Sequence, residues 1–285
     1  MFFLTLRETV AVGLMQQFQP DSYAKKKEQK MKKTAMVAAF VAAVFLFAAS
    51  ASAHFGMVIP SSQMVMGDDK RSVDITLSFS HPFEMVGMDL VLPKEFFVVS
   101  QGEKKDLTGT LVSAKVMDSQ AWKASFAITR PGIYNFVMEP KPYWEPAEDC
   151  YIKHITRTVV AAFGDEDGWD EELGLETEIV PLARPFGLYA GNVFQGIVKM
   201  NGEPVPFAEV EVEYYNSDKS KPVLNDYMIT QVVKADENGV FTYAVPGPGW
   251  WGFAALNEVD YTIKHGDEEK PLELGAVIWV YFHKF

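Results

Sequence analysis

Cysteine is nearly absent from this 285-residue chain, where Cys150 stands alone. One thiol cannot close an internal disulfide, and it cannot supply a four-cysteine zinc site. Positive charge is also scarce, with 26 Lys and Arg against 38 Asp and Glu and a formal net charge of −12. Such a surface repels phosphate backbones and argues against a nucleic-acid partner. The sequence shows no nucleophile–base constellation and no phosphate-binding glycine loop, so the chain is not expected to be a hydrolase or a nucleotide enzyme. Apolar residues make up 48% of the chain, enough to form packed cores rather than a disordered polymer.

Long hydrophobic runs are missing too, with one exception. Ala35 to Ala49 is uncharged, follows Lys32-Lys33 and leads into Ala51-Ser52-Ala53. A span needs about 20 apolar residues, so this run is short for an anchor and reads as a signal peptide cleaved after Ala53. Residues 1–30 are an upstream extension, or precede a true start at Met31. Export to the periplasm is expected, with no membrane span in the mature protein. Residues 1–53 hold seven of the basic and three of the acidic residues, so residues 54–285 carry 19 and 35, a net charge of −16. All five histidines lie in this mature part.

The mature chain reads as all-β. Val73, Ile75, Leu77 and Phe79 alternate with polar residues, as do Trp122, Ala124, Phe126 and Ile128. Arg130-Pro131-Gly132 supplies a turn, and Tyr151–Phe163 is rich in Ile, Thr and Val. Gly164–Glu178 is an acidic break that begins a linker. Its Asp165-x-Asp167-Gly168 lacks the later ligands of a calcium loop and reads as a solvated turn. Beyond it, Val193–Met200 meets Asn201-Gly202, the preferred pair of a tight hairpin. Ala208, Val210, Val212 and Tyr214 alternate with Glu209, Glu211 and Glu213, and Ala276–Phe282 forms a final strand. Two antiparallel, Ig-like β-sandwich domains are expected, over residues 54–180 and 181–285.

Histidine positions carry the functional signal. Cleavage after Ala53 leaves His54 as the mature N-terminus, where the α-amine and ring Nδ1 can chelate one metal ion. Both shed protons near neutrality, with reference pKa values of about 7.7 and 6.5. His81 ends the Val73–Phe79 strand ahead of Pro82, and Glu84 three residues on is a candidate oxygen donor or imidazole partner. On a regular strand Cys150 and His154 share a face about 13 Å apart, too far for one ion. His154 is taken as the ligand and Cys150 as a packed thiol. His265 and His283 read as surface residues. Met57, Met64, Met66, Met85 and Met88 surround the first two histidines, and thioethers favour copper. Methionine is also a common gap-filler in cores.

His54-Phe55-Gly56-Met57-Val58-Ile59-Pro60-Ser61, His81-Pro82-Phe83-Glu84 with Met88, and Lys141-Pro142-Tyr143-Trp144-Glu145-Pro146-Ala147-Glu148-Asp149 resemble a known exported family. It is the NikM-like periplasmic component of ABC-type nickel/cobalt uptake systems. Leu173–Pro181, Pro185, Gly191 and the Asn201-Gly202 hairpin extend the resemblance over nearly all of residues 54–285. The C-terminal part also resembles carboxypeptidase-regulatory-like sandwiches, through Asn201-Gly202-x-Pro204-Val205 and Asp236-x-Asn238-Gly239-x-Phe241.

The resemblance implies a non-enzymatic carrier of Ni2+ or Co2+ that serves a membrane nickel/cobalt transporter. It places His54, His81 and His154 inside the matching motifs as metal ligands. Cu2+ is the alternative cargo for such a nitrogen set. A non-metal alternative makes the sandwiches carbohydrate-binding or adhesion modules, with Trp144, Trp250 and Trp251 as stacking platforms.

Overall fold

The computed structural model describes residues 54–285 except Val223. The extension and signal peptide expected over residues 1–53 lie outside the described residues. The first half contains β1 (Phe55–Pro60), β2 (Met64–Val65), β3 (Ser72–His81), β4 (Val86–Met88), β5 (Glu95–Ser100), β6 (Glu103–Asp106), β7 (Val112–Val116), β8 (Ser119–Ala127), β9 (Gly132–Glu139), β10 (Tyr143–Glu145) and β11 (Cys150–Ala162). The second contains β12 (Thr177–Pro181), β13 (Leu188–Tyr189), β14 (Val193–Met200), β15 (Glu203–Pro204), β16 (Glu209–Tyr214), β17 (Gln231–Lys234), β18 (Val240–Ala244), β19 (Gly249–His265) and β20 (Glu268–His283). The fold is all-β, as the patterning predicts. Among the described residues, no helix is long and apolar enough to cross a membrane.

Alternation builds the first layer. β1, β3, β8 and β7 form an antiparallel sheet with β4 on β3. Its residues Val58, Ile75, Leu77 and Phe79 pack against Phe96, Phe136, Ile152 and Val160 of a larger sheet. That sheet has eleven strands and runs β17-β16-β19-β20-β11-β9-β5-β6 along its main path. Its centre departs from the antiparallel expectation, because β11 and β20 lie parallel, from Tyr151 opposite Leu272 to Thr158 opposite Trp279. Parallel strands are stable when both faces are covered. β11 accordingly is buried without interruption from Ile152 to Ala162.

The second layer lies on the opposite face of the large sheet. There Phe194, Val198 and Phe241, from β14 and β18, pack on Val212, Phe253, Ile278 and Phe282. Neighbours along β20 separate the two faces: Ala276 and Ile278 enter this core, whereas Val277 and Trp279 point the other way. The expected boundary near residue 180 falls within β12, which already pairs with β14 of the second half. Each half thus has its own core, and both cores rest on one sheet.

β1 joins them. Phe55 and Met57 cluster with Ala254, Val277 and Trp279 from the second half, while Val58 enters the first core. A strand covered on both faces has no polar alternation, which explains Phe55-Gly56-Met57-Val58-Ile59. The Trp279 indole N–H donates to the Gly56 carbonyl at 2.8 Å and closes the junction.

The acidic break is fastened rather than loosely solvated. Arg157, buried on β11, donates to the carbonyls of Glu171 and Trp169 and to the Asn135 side chain. Burial lowers its pKa to about 10, still far above neutrality, and Glu178 supplies the nearest carboxylate at 3.6 Å. Glu178 in turn accepts from the backbone amides of Leu173, Gly174 and Leu175. Asp165 accepts the Asp167 amide in a local turn.

One continuous sheet predicts one cooperative transition. Trp279→Ala removes a fully buried side chain and should cost about 3–5 kcal/mol. Probes in both halves should shift together in thermal denaturation. Two separate transitions, with only the second-half probe moving, would contradict this coupling.

Candidate metal centre

Strand register sets the first pair of histidines. Phe55 pairs with Ser80 and Gly56 with Phe79, so continuing the antiparallel register puts residue 54 opposite residue 81. Opposed side chains share a face of the sheet. The His54 and His81 rings lie 4.6 Å apart between centroids, and His54 also stacks on Phe79 at 5.7 Å. His154 meets Phe79 edge-on at 5.9 Å. The three predicted histidines therefore gather around Phe79, from the residue before β1, the end of β3 and β11.

Two glycines allow the approach. A Cβ on Gly56 would sit 2.3 Å from Thr156 Oγ1 and 3.2 Å from His154 Cβ, so only glycine lets β1 lie this close over β11. A Cβ on Gly275 would meet His154 Cδ2 at 2.3 Å and Nε2 at 2.7 Å. Gly275 faces His154 in the parallel register and makes room for its ring.

Carboxylates orient the imidazoles. Glu145 Oε2 lies 3.2 Å from His54 Nε2, and Glu273 Oε1 lies 3.0 Å from His154 Nε2. An ionised carboxylate only accepts, so each Nε2 carries the proton and each Nδ1 keeps its lone pair. Glu145 is itself steadied by the Ala147 amide at 2.9 Å. The His154 side chain is fully buried, and its Nδ1 has no hydrogen-bond partner. An unpaired lone pair in that position is what a metal ligand requires, and leaving it unused carries a desolvation cost.

Charge supports the same tautomers. Burial, followed by the charges of His81 and His154, lowers the His54 pKa from 6.5 to about 4 and keeps the ring neutral at physiological pH. Burial pushes Glu273 up, but the hydrogen bond and charge of His154 hold it below the usual carboxylate range. Further carboxylates crowd the same region. Glu148 is raised by burial and by Glu273 and Glu145, and Glu211 is pushed to about 7 by burial, Glu273 and Glu148. The site thus concentrates negative potential beside neutral nitrogen donors.

Glu84 stands exposed on the turn after β3, where its charge adds to that of the buried Glu213. The carboxylates seen on imidazole nitrogens are Glu145 and Glu273, which lie 91 and 119 residues from their partners. Only the Lys141–Asp149 stretch hinted at the first, and no spacing rule points to the second. Glu213 accepts the Phe83 amide, and Asn216 donates to the Phe83 carbonyl, so β16 and its following loop clamp the turn after His81.

Cys150 packs at the margin of the first core with Sγ 3.8 Å from Glu148. Burial and the surrounding carboxylates raise its pKa to about 11, which keeps it a thiol rather than a soft thiolate ligand. Met57 projects to the opposite side of β1 from His54, where its sulfur accepts the Ser80 hydroxyl at 2.8 Å. Met64 and Met88 pack against cores, and Met66 is exposed.

The tryptophans are engaged in packing: Trp251 is buried in the second core, Trp250 packs beside Trp279, and His265 stacks on Trp144 at 4.0 Å. His265 is therefore half-buried, with Tyr151 at hydrogen-bond distance, rather than a free surface residue. Among the described residues, no three His, Cys, Asp or Glu side chains are already arranged to hold an ion. Closing the centre requires the rings to turn toward one another.

A family model for a domain of unknown function (DUF4198) matches residues 51–259. No curated protein sequence matches the chain. Among solved structures, the D0-D1 domain of intimin is 13% identical, with 81% of this chain and 100% of that one covered and a TM-score of 0.23. Fibronectin(III)-like modules of Clostridium thermocellum CbhA are 10% identical over 80% of this chain and 95% of theirs, with a TM-score of 0.22. Likeness at this level bears on neither ligand nor activity.

The lowered His54 pKa gives a signed expectation. The unfolded ring takes up its proton near pH 6.5 and the folded ring near 4, so His54 destabilises the fold as pH falls through that window. About 3 kcal/mol should be lost between pH 6.5 and 4 through this residue. His54→Gln should remove that part of the acid sensitivity in denaturant titrations, and an unchanged pH profile would contradict the assignment.

Proposed function

The chain belongs to the DUF4198 family, and we infer that its mature form is a periplasmic carrier of a divalent transition-metal ion, Ni2+ or Co2+. The reading rests on one observation above others. His54, His81 and His154 gather around Phe79, and Glu145 and Glu273 sit at the Nε2 atoms of His54 and His154. Carboxylate–imidazole pairing of this kind orients a metal ligand and raises its basicity. His154 is fully buried with its Nδ1 unpaired, beside two further histidines, which is the arrangement that favours a ligand role.

The chain's own groups account for capture. His54 Nδ1 and the α-amine freed by cleavage form a two-nitrogen chelate, the amine giving its proton to solvent. In the uncleaved chain that nitrogen is a peptide amide and is no donor. His81 and His154 complete the set of nitrogens, while Glu145 and Glu273 hold the ring protons of His54 and His154 on their Nε2 atoms. The carboxylates around the site draw cations toward it. Nitrogen donors of this number suit Ni2+ and also Cu2+, which binds more tightly to most such sites. Selection of Ni2+ or Co2+ over copper then falls to ring geometry and metal supply. Release to a nickel/cobalt transporter in the membrane is the expected fate of the ion.

The test uses protein exported and cleaved before His54. Elemental analysis should find bound nickel or cobalt, and calorimetry should show one tight site for NiCl2. Either His54→Ala or one extra residue ahead of His54 should weaken nickel binding by at least about tenfold. The extension leaves every side chain in place, so unchanged affinity in that variant would rule out the N-terminal chelate.

A further inference from the structure

Strand register gathers carboxylates on one face of the large sheet. Val210 and Val212 enter the second core, so Glu209 and Glu211 project from β16 to the opposite face. Lys234 and Val232 of β17 stand opposite them on one side, and Leu256 of β19 lies opposite Glu209 on the other. Two residues further along β19, Glu258 faces Glu273 of β20. Opposed residues share a face, so all of these side chains point the same way. β1 packs over Ala254 and Val277 in the neighbouring row. Beyond that row an open cavity of ≈ 730 Å3 remains, with Glu209, Glu211, Glu258 and Glu273 in its walls.

The walls are short of donors. Lys234 is the only basic residue in the lining, and it is spent on Glu209 at 3.8 Å. Glu273 accepts from His154. Glu211 has neither a hydrogen bond nor an ion pair among the described residues, and its Oε2 is sealed from solvent. Asn257, only 5% exposed, lines the same cavity. Its amide donates to Thr177 Oγ1 and to the Leu274 carbonyl on the β20 side, which leaves Oδ1 unpaired on the side where β16 has ended. Both unpaired groups are acceptors, and a buried acceptor without a donor is costly. A ligand that brings N–H donors and positive charge complements them.

The spacing of the carboxylates selects the kind of cation. Glu209 and Glu211 stand about 7 Å apart along their strand, too far to share one ion. Between the carboxylates the walls are apolar, formed by Phe207, Val232, Leu256 and Leu272. Phe207 and Val232 are more than half exposed, at 57% and 56%. A flexible chain that carries ammonium groups at intervals matches both features, its charges meeting carboxylates and its methylenes covering the apolar walls. We propose that this cavity binds a linear polyamine, with ammonium groups at Glu211 and at the Glu258–Glu273 pair and methylenes against Phe207 and Leu256. Binding of this kind needs no metal at the histidines, with which only Glu273 is shared.

Spermidine is the probe, with ammonium groups set apart by short methylene links. Calorimetry on the mature protein at about 0.15 M salt should show a single site for it. Glu211→Gln and Glu258→Gln should each weaken that site about tenfold. Glu258 is exposed, so its substitution leaves the cores intact and decides the matter even if Glu211→Gln fails to fold. Butylamine, with one ammonium group, should bind about a hundredfold more weakly than spermidine. MgCl2 at matched charge should not displace spermidine. Absence of spermidine binding, or undiminished affinity in Glu258→Gln, would overturn the polyamine site. Displacement by Mg2+ would overturn it as well, leaving a diffuse counter-ion field. Tighter binding of a trilysine peptide than of spermidine would replace the small amine with a basic protein segment.

Discussion

Contact between β1 and β11 at Gly56 is the constraint on which the rest of this molecule depends. Nothing larger than hydrogen fits there, because a Cβ would lie 2.3 Å from the Thr156 hydroxyl. The close approach lets one short strand serve two cores, with Phe55 and Met57 on the second half and Val58 on the first. It also carries His54 over the large sheet, above His154. Stability and site geometry thus share one packing decision. Trp279 reinforces it through its hydrogen bond to the Gly56 carbonyl, so β20 holds β1 in place.

The electrostatics of the site follow from that burial. Removing the His54 imidazole from water disfavours its protonated form, and the nearby His81 and His154 add to the effect. Carboxylates alone in such surroundings would rise in pKa, as Glu211 and Glu213 do. Glu273 escapes because His154 donates to it. The surrounding carboxylates help keep Cys150 a thiol, whereas at His54 they oppose deprotonation and burial outweighs them. The excess of acidic residues is weak evidence as a composition, but it becomes informative where specific carboxylates touch specific ring nitrogens.

Local structure was legible from residue patterns. The Val73–Phe79 alternation lies inside β3, and Val193–Met200 matches β14 residue for residue. Asn201 and Gly202 both take positive φ, 53° and 83°, as their hairpin requires. Asp236 accepts the amides of Asn238 and Val240 in the turn that its neighbours suggested. The pairing of β11 with β20 was not legible, since a parallel contact across about 120 residues leaves no local signature. Nor was the length of β19 and β20, whose polar outer stretches look like loop when read alone. The acidic segment after β11 read as a free linker because its anchor, Arg157, lies on a strand where a buried charge is unexpected.

Sequence by itself determined the class of the fold, the turns, and the three histidines as the residues to watch. Those properties depend on periodicity, backbone preference and side-chain chemistry, which operate over a few residues. Tertiary structure alone decided that the three rings gather around Phe79, that Glu145 and Glu273 orient two of them, and that Met57 turns to the other side of β1. These outcomes depend on which strands lie next to one another and on which face each residue occupies. Burial then determines which groups lose their protons. Glu145 and Glu273 touch imidazole nitrogens of residues 91 and 119 positions away. Distance along the chain is a poor measure of contact in a β-fold because hydrogen bonding across the sheet, rather than along it, brings side chains together.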